Sequence, residues 1–213
     1  FCDLPNKESR AVVKTMNMDM RQYGTMRMFV HAEGRGSDAA ITDNSLTAIV
    51  RIGNDFQGNY YEVRLPLKKT NWGETDSLRI WPELNNLDFD LQELTRLKSR
   101  RNQQSGTSPS VYYSEVLADG RIYAALGNPN LGEVKGMMLA VENTGLTSAC
   151  AEVWFNELRF SNLDEKGGWA ALGRVDLKLA DLGNITLAGT ARSNGFGTLE
   201  QRVNQRSRED LYT

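Results

Sequence analysis

Apolar and polar residues alternate along most of this chain, and the alternation predicts strands. Ala11–Met20 places Val12, Lys14, Met16, Met18 and Met20 on one side and Val13, Thr15, Asn17 and Asp19 on the other. A methionine row at period two reads as a core face. In Met26–Ala32, Met26, Met28, Val30 and Ala32 share one side and Phe29 and His31 the other, so a strand buried on both faces is expected. Leu46–Ile52 and Tyr60–Leu67 flank the polar turn Asn54–Asn59 as a hairpin, and Pro66 marks an end or an edge because it cannot donate to a ladder. Val111–Leu117 and Arg121–Leu126 flank Ala118-Asp119-Gly120 as a second hairpin. Met137–Glu142 follows, and Ala151–Phe160 reads as the closing strand.

One stretch departs from period two. In Pro82–Arg101, Leu91, Leu94, Leu97 and Lys98 fit helical spacing, Leu84 and Leu87 extend the stripe upstream, and Asp88 or Asp90 is the candidate cap. The basic run Lys98–Arg101 suits the negative end of the helix dipole, which explains the charge without a partner. Glu33–Ser45, Gly127–Gly136 and above all Asn102–Ser110 have loop composition. About eight strands at this spacing, with no β-α alternation, predict a mainly β domain: a jelly roll or β-sandwich with one inserted helix, over residues 1–163.

The remaining residues, 164–213, form a different region: a polar link, an amphipathic hairpin over 169–192 and a charged tail. Trp169, Ala171, Gly173, Val175, Leu177 and Leu179 lie on one face, and Ala170, Leu172, Arg174, Asp176, Lys178 and Ala180 on the other. After the turn Asp181–Gly183, Ile185, Leu187, Gly189 and Ala191 oppose Asn184, Thr186, Ala188, Thr190 and Arg192. Each strand has close to the roughly 9–11 residues that cross a bilayer when tilted. The pattern fits a transmembrane β-hairpin with a wet lumen, or a soluble hairpin packed on the sandwich. Thr198–Tyr212 is polar enough for a short helix, with Glu200/Arg202 and Arg206/Asp210 as local ion pairs.

The chain has 213 residues, 40% hydrophobic and 24% charged, which is ordinary for a folded domain. A formal net charge of −2 gives no electrostatic case for nucleic acid. Cys2 and Cys150 stand near the start and at the closing strand. They are either a disulfide tying the domain's ends together, which needs an oxidising compartment, or two unrelated buried thiols. No spacing of Cys and His suggests zinc. His31, the sole histidine, lacks a sequence-near partner and reads as packed or hydrogen-bonded.

No catalytic motif is present, and no cofactor is expected. Glu152 and Glu157 fail as glycosidase carboxylates. Odd spacing on a strand sends them to opposite sides, about 16 Å apart, against a required separation of about 5–10 Å. A binding role rests on aromatic residues. Trp72, Tyr60, Tyr61 and Tyr112 would serve a carbohydrate- or peptide-binding jelly roll if they cluster in an exposed groove, whereas Trp72 could equally cover a loop.

The run AEVWFNELRFSNLDEKGGWAALGRVDLKLADLGN (Ala151–Asn184) resembles the SprA/Sov proteins, outer-membrane translocons of the type IX secretion system linked to gliding motility. The resemblance continues through GFGTLEQRVNQRSR (Gly195–Arg208) and, more loosely, through Met26–Gly34 and Asn59–Leu67. Those proteins are far longer, so the resemblance implies an internal fragment. It also implies a non-catalytic domain of a protein-export channel, periplasmic or surface-exposed, with secretion-system proteins and exported cargo as partners and the outer membrane reached through the parent barrel. The order of MRMFVHAEG, YYEVRLPL and AEVWFNELRF is also similar, at fold level only, to galactose-binding-domain-like jelly rolls.

Overall fold

The computed structural model describes residues 1–37, 40–164, 167–197 and 210–213. It divides into two compact units, Phe1–Leu163 and Asp164–Thr213.

The first unit is mainly β and sandwich-like, not a closed barrel. Its strands are β1 (Ser9–Met18), β2 (Tyr23–Gly34), β3 (Leu46–Gly53), β4 (Tyr60–Pro66), β5 (Leu87–Asp90), β6 (Tyr113–Val116), β7 (Ile122–Leu126), β8 (Val134–Asn143) and β9 (Ala151–Leu163). They form a six-stranded sheet in the order β1-β8-β3-β4-β7-β6 and a three-stranded sheet in the order β5-β2-β9. Every pairing is antiparallel.

The core lies between the sheets. Met26, Met28, Val30 and Ala32 come from one face of β2, as their alternation predicts. Ala48, Val50 and Ile52 from β3 and Tyr61, Val63 and Leu65 from β4 meet them. Helix α2 (Leu91–Gln103) closes one side with Leu91, Leu94 and Leu97, the stripe read from the sequence. Its cap is Asp90, whose carboxylate accepts from the Gln92 amide at 2.7 Å. Asp90→Ala is expected to lower stability by about 1 kcal/mol, measured as a shift in the urea midpoint. Asp90→Asn should recover most of the loss, because Asn caps as well as Asp does.

Several boundaries differ from the expectation. The helix does not reach back to Pro82. A one-turn helix, α1 (Ser77–Ile80), and a 3₁₀ turn (Glu83–Asn85) come first, and Leu87–Asp90 forms β5. Leu87 and Phe89 are buried while Asp88 and Asp90 are half-buried, a period of two that pairs with Thr25–Met28. Leu84 belongs to no stripe and is exposed. β1 is a second correction: Met20 is buried and Met16 and Met18 are half-buried, yet Val12 and Val13 are exposed. β1 lies at the edge of the wider sheet, where the narrower one leaves it largely uncovered. β9 runs three residues past the expected end at Phe160.

The start of the chain is tied to the start of β9. Leu4 and Ala149 exchange backbone hydrogen bonds, Phe1 does the same with Ala151, and a disulfide joins Cys2 to Cys150. The Asn143 amide, fully buried, donates to the Leu4 and Thr147 carbonyls and fixes the same corner.

The second unit is a hairpin of β10 (Ala170–Leu179) and β11 (Gly183–Arg192), with β12 (Leu211–Tyr212) paired to the end of β11. Leu211–Tyr212 is therefore strand, not the helix expected for the tail. Residues 198–209, on which the rest of that expected helix and the Glu200/Arg202 and Arg206/Asp210 pairs depend, lie outside the described residues.

Candidate functional site

The hairpin of the second unit pairs like with like. Val175 faces Leu187, Leu177 faces Ile185, and Gly173 and Ala171 face Gly189 and Ala191. On the other face Arg174 sits opposite Ala188, Asp176 opposite Thr186 and Lys178 opposite Asn184. Arg174 donates to Asp176 at 2.9 Å, and the Thr186 hydroxyl donates to the same carboxylate at 2.6 Å. Leu172, on this polar face, is the apolar exception. The register thus separates an apolar face from a small-and-polar one along the full length of both strands.

No residue of β10 is buried, and Val175 and Leu187, opposite each other at mid-strand, are 52% and 62% exposed. A sheet face of this composition buries its apolar side against something in any stable environment. Ten residues span about 33 Å, and at a barrel tilt of about 40° they rise about 25 Å, the height of a barrel's apolar band. Trp169 extends the ladder at the open end, where its carbonyl accepts from the Ser193 amide at 2.8 Å. Among the described residues no helix is long and apolar enough to cross a membrane, which has no bearing on crossing by strands.

The aromatic residues singled out from the sequence fall in different places. Tyr60 and Tyr61 are consecutive on β4 and face opposite sides of the sheet. Tyr61 is in the core, with its hydroxyl donating to the Pro129 carbonyl at 3.2 Å, and burial pushes that phenol up to about 12. It offers no ring face to a ligand. Tyr60 is buried on the outer face under the Arg51 guanidinium, 4.2 Å from the ring centre. Tyr112, from the segment before β6, reaches the same place and donates to Glu62 at 2.8 Å. Trp72 is about half exposed in the loop after β4. The structure therefore joins Tyr60 and Tyr112 around Glu62 and sends Tyr61 to the other side.

His31 is buried between two indoles, 4.9 Å from Trp154 and 5.9 Å from Trp81 between ring centres. Its Nδ1 lies 2.8 Å from the Ile80 carbonyl, so the ring is packed and hydrogen-bonded. Among the described residues no group of three or more His, Cys, Asp or Glu side chains is placed to hold a metal ion.

Two features escaped the sequence reading. One is the charged layer on the outer face of the six-stranded sheet: Arg51, Glu62, Arg64 and Glu142. The other is a pair of arginines, Arg27 and Arg159, directly opposite each other on β2 and β9. Both depend on strand register across long separations, for which a single sequence carries no local signal.

No curated protein matches the chain. The profile of the SprA_N family, described as motility related/secretion protein, matches residues 2–213.

Proposed function

The chain belongs to the SprA_N family of motility related/secretion proteins, and from that premise we propose that it is a non-catalytic structural part of a large outer-membrane protein-export translocon of the type IX kind. The hairpin β10–β11 supplies two strands of the parent barrel. The first unit is periplasmic or surface-exposed and works among other secretion-system proteins and exported cargo.

The observation that carries this reading is the apolar face of the hairpin, exposed among the described residues. Its strand length, its segregation of apolar from small and polar side chains, and the absence of any buried residue in β10 all suit a lipid-facing surface. The Cys2–Cys150 disulfide supports a location outside the reducing cytosol.

Substitution at mid-strand tests the reading in the full-length parent. Leu187→Arg sets a guanidinium on the lipid side and is expected to cost about 2–4 kcal/mol near the bilayer midplane. Less folded parent should then be recovered from outer membranes, and export should fall. Ala188→Arg, one residue along and on the wet side, should be tolerated. Membrane assembly and export unchanged by Leu187→Arg would remove the barrel role.

A further inference from the structure

β2 and β9 run side by side over most of their length, and their register breaks once. Arg27 faces Arg159 and Phe29 faces Asn156, so Glu157 and Leu158 together oppose Met28. This is a β-bulge, with Glu157 at a positive φ of 54°. Bulges bend a strand and re-aim its side chains, and they recur beside binding sites. Here the bulge borders a cleft of about 370 Å³ on the three-stranded sheet, with Arg27, Phe29, Asn86, Arg159, Phe160 and Ser161 among its walls.

The chemistry of that cleft is unusual for a plain sheet surface. Like charges directly opposite on antiparallel strands destabilise the pair, yet two guanidinium groups stand there. Each has one carboxylate beside it: Arg27 Nε lies 2.9 Å from Asp88, and Arg159 Nη2 lies 2.8 Å from Glu157. Both arginine side chains remain 57% exposed, so much of each five-donor fork is open to solvent. The Arg159 guanidinium lies over the Phe29 ring, 5.5 Å from its centre, which holds it toward the cleft.

We propose that this bulge cleft binds a phosphate group, with Arg27 and Arg159 as forked donors and Phe29 as an apolar wall for the body of a phosphate ester. Paired guanidinium forks match the several oxygens of a phosphate, which accepts from both at once. The carboxylates do not prevent this, because exposed ion pairs contribute only about 0–1 kcal/mol. The phosphate is either that of a soluble ester or that of a lipid headgroup. The site does not depend on the hairpin's place in a barrel.

The test uses the whole 213-residue chain. Inorganic phosphate is titrated by calorimetry and by the arginine Nε–H resonances in nuclear magnetic resonance. Saturable binding is expected, weakened about tenfold or more by Arg27→Gln or Arg159→Gln, as for loss of hydrogen bonds to a charged group. Arg159→Lys keeps the charge but not the fork and should weaken binding too. Co-sedimentation with phosphatidic acid vesicles, against phosphatidylcholine vesicles, separates the sources. Selective pelleting lost in the Arg27→Gln/Arg159→Gln double variant identifies a headgroup; phosphate binding without such pelleting identifies a soluble ester. No saturable phosphate binding, or binding that survives the double variant, overturns the proposal. Both side chains are more than half exposed, so the variants should keep the wild-type melting profile, and Arg159→Lys tests the site if a glutamine variant does not.

Discussion

Removing the Cys2–Cys150 bond, by Cys2→Ala or by reduction, is expected to lower the unfolding free energy of the first unit by about 3–5 kcal/mol. The bond joins residues separated by 148 positions. Closing so long a loop removes much conformational freedom from the unfolded chain, and the cost of opening it grows with the logarithm of loop length. Backbone hydrogen bonds and the fully buried Leu4 side chain hold the same corner. Leu4 and Ala149 exchange two backbone hydrogen bonds, and Phe1 and Ala151 exchange two more. Without the bond, those four hydrogen bonds and the buried Asn143 amide must hold the first residues against β9. Urea melts with and without reductant measure the effect, and amide exchange at Leu4 and Ala151 should accelerate along with it. Coincident melts would show that the folded corner holds without the bond.

Glu62→Ala is expected to cost about 3–5 kcal/mol, the range for breaking a buried ion pair from one side. Glu62 is 1% exposed, yet it sits on the face of the six-stranded sheet away from the core. Three side chains bind it. Arg51 Nε lies at 2.5 Å, Arg64 Nη1 at 3.3 Å and the Tyr112 hydroxyl at 2.8 Å, while Arg64 also reaches Glu142 at 2.6 Å. Desolvation and then the neighbouring carboxylate hold the Tyr112 phenol well above its usual range; its hydroxyl end reaches the buried acid while the rest of the ring is half open. Removing Glu62 leaves Arg51, among the described residues, the Phe56 carbonyl and the Tyr60 ring, and takes from Tyr112 its carboxylate acceptor. Glu142→Ala is the comparison. That carboxylate is partly solvated and binds one arginine, so about 1 kcal/mol or less is expected. Equal losses for the two variants would mean that Glu62 holds no special place in the layer.

What could be read from the sequence was local. The inward face of β2, the leucines of α2 and the two faces of the β10–β11 hairpin follow from a period of two or of 3.6 within a few residues. Leu87–Asp90 was misread because Leu87 fits both the helical stripe that follows and the alternation of LDFD; pairing with Thr25–Met28 decided between them. Val12 shares the methionine side of β1 yet is exposed, because an edge position is a property of the whole sheet. The Glu62 layer draws on β3, β4, β8 and the segment before β6, and Arg27 meets Arg159 only after β9 has bulged. Such sites arise from register between distant segments. Tyr60 and Tyr61 illustrate the limit: a binding role required them to cluster in an exposed groove, and the strand sends them to opposite faces.

The disulfide also determines where tension can act. A pull applied at the two ends of the first unit enters near Phe1 and crosses from Cys2 to Cys150 through the sulfurs. The 148-position loop between them is bypassed and cannot be drawn out. What remains in the line of force is β9, thirteen residues from Ala151 to Leu163, lying against β2. Under load the unit can lengthen only by stripping that edge strand from its neighbour, while the rest of the sandwich stays mechanically silent.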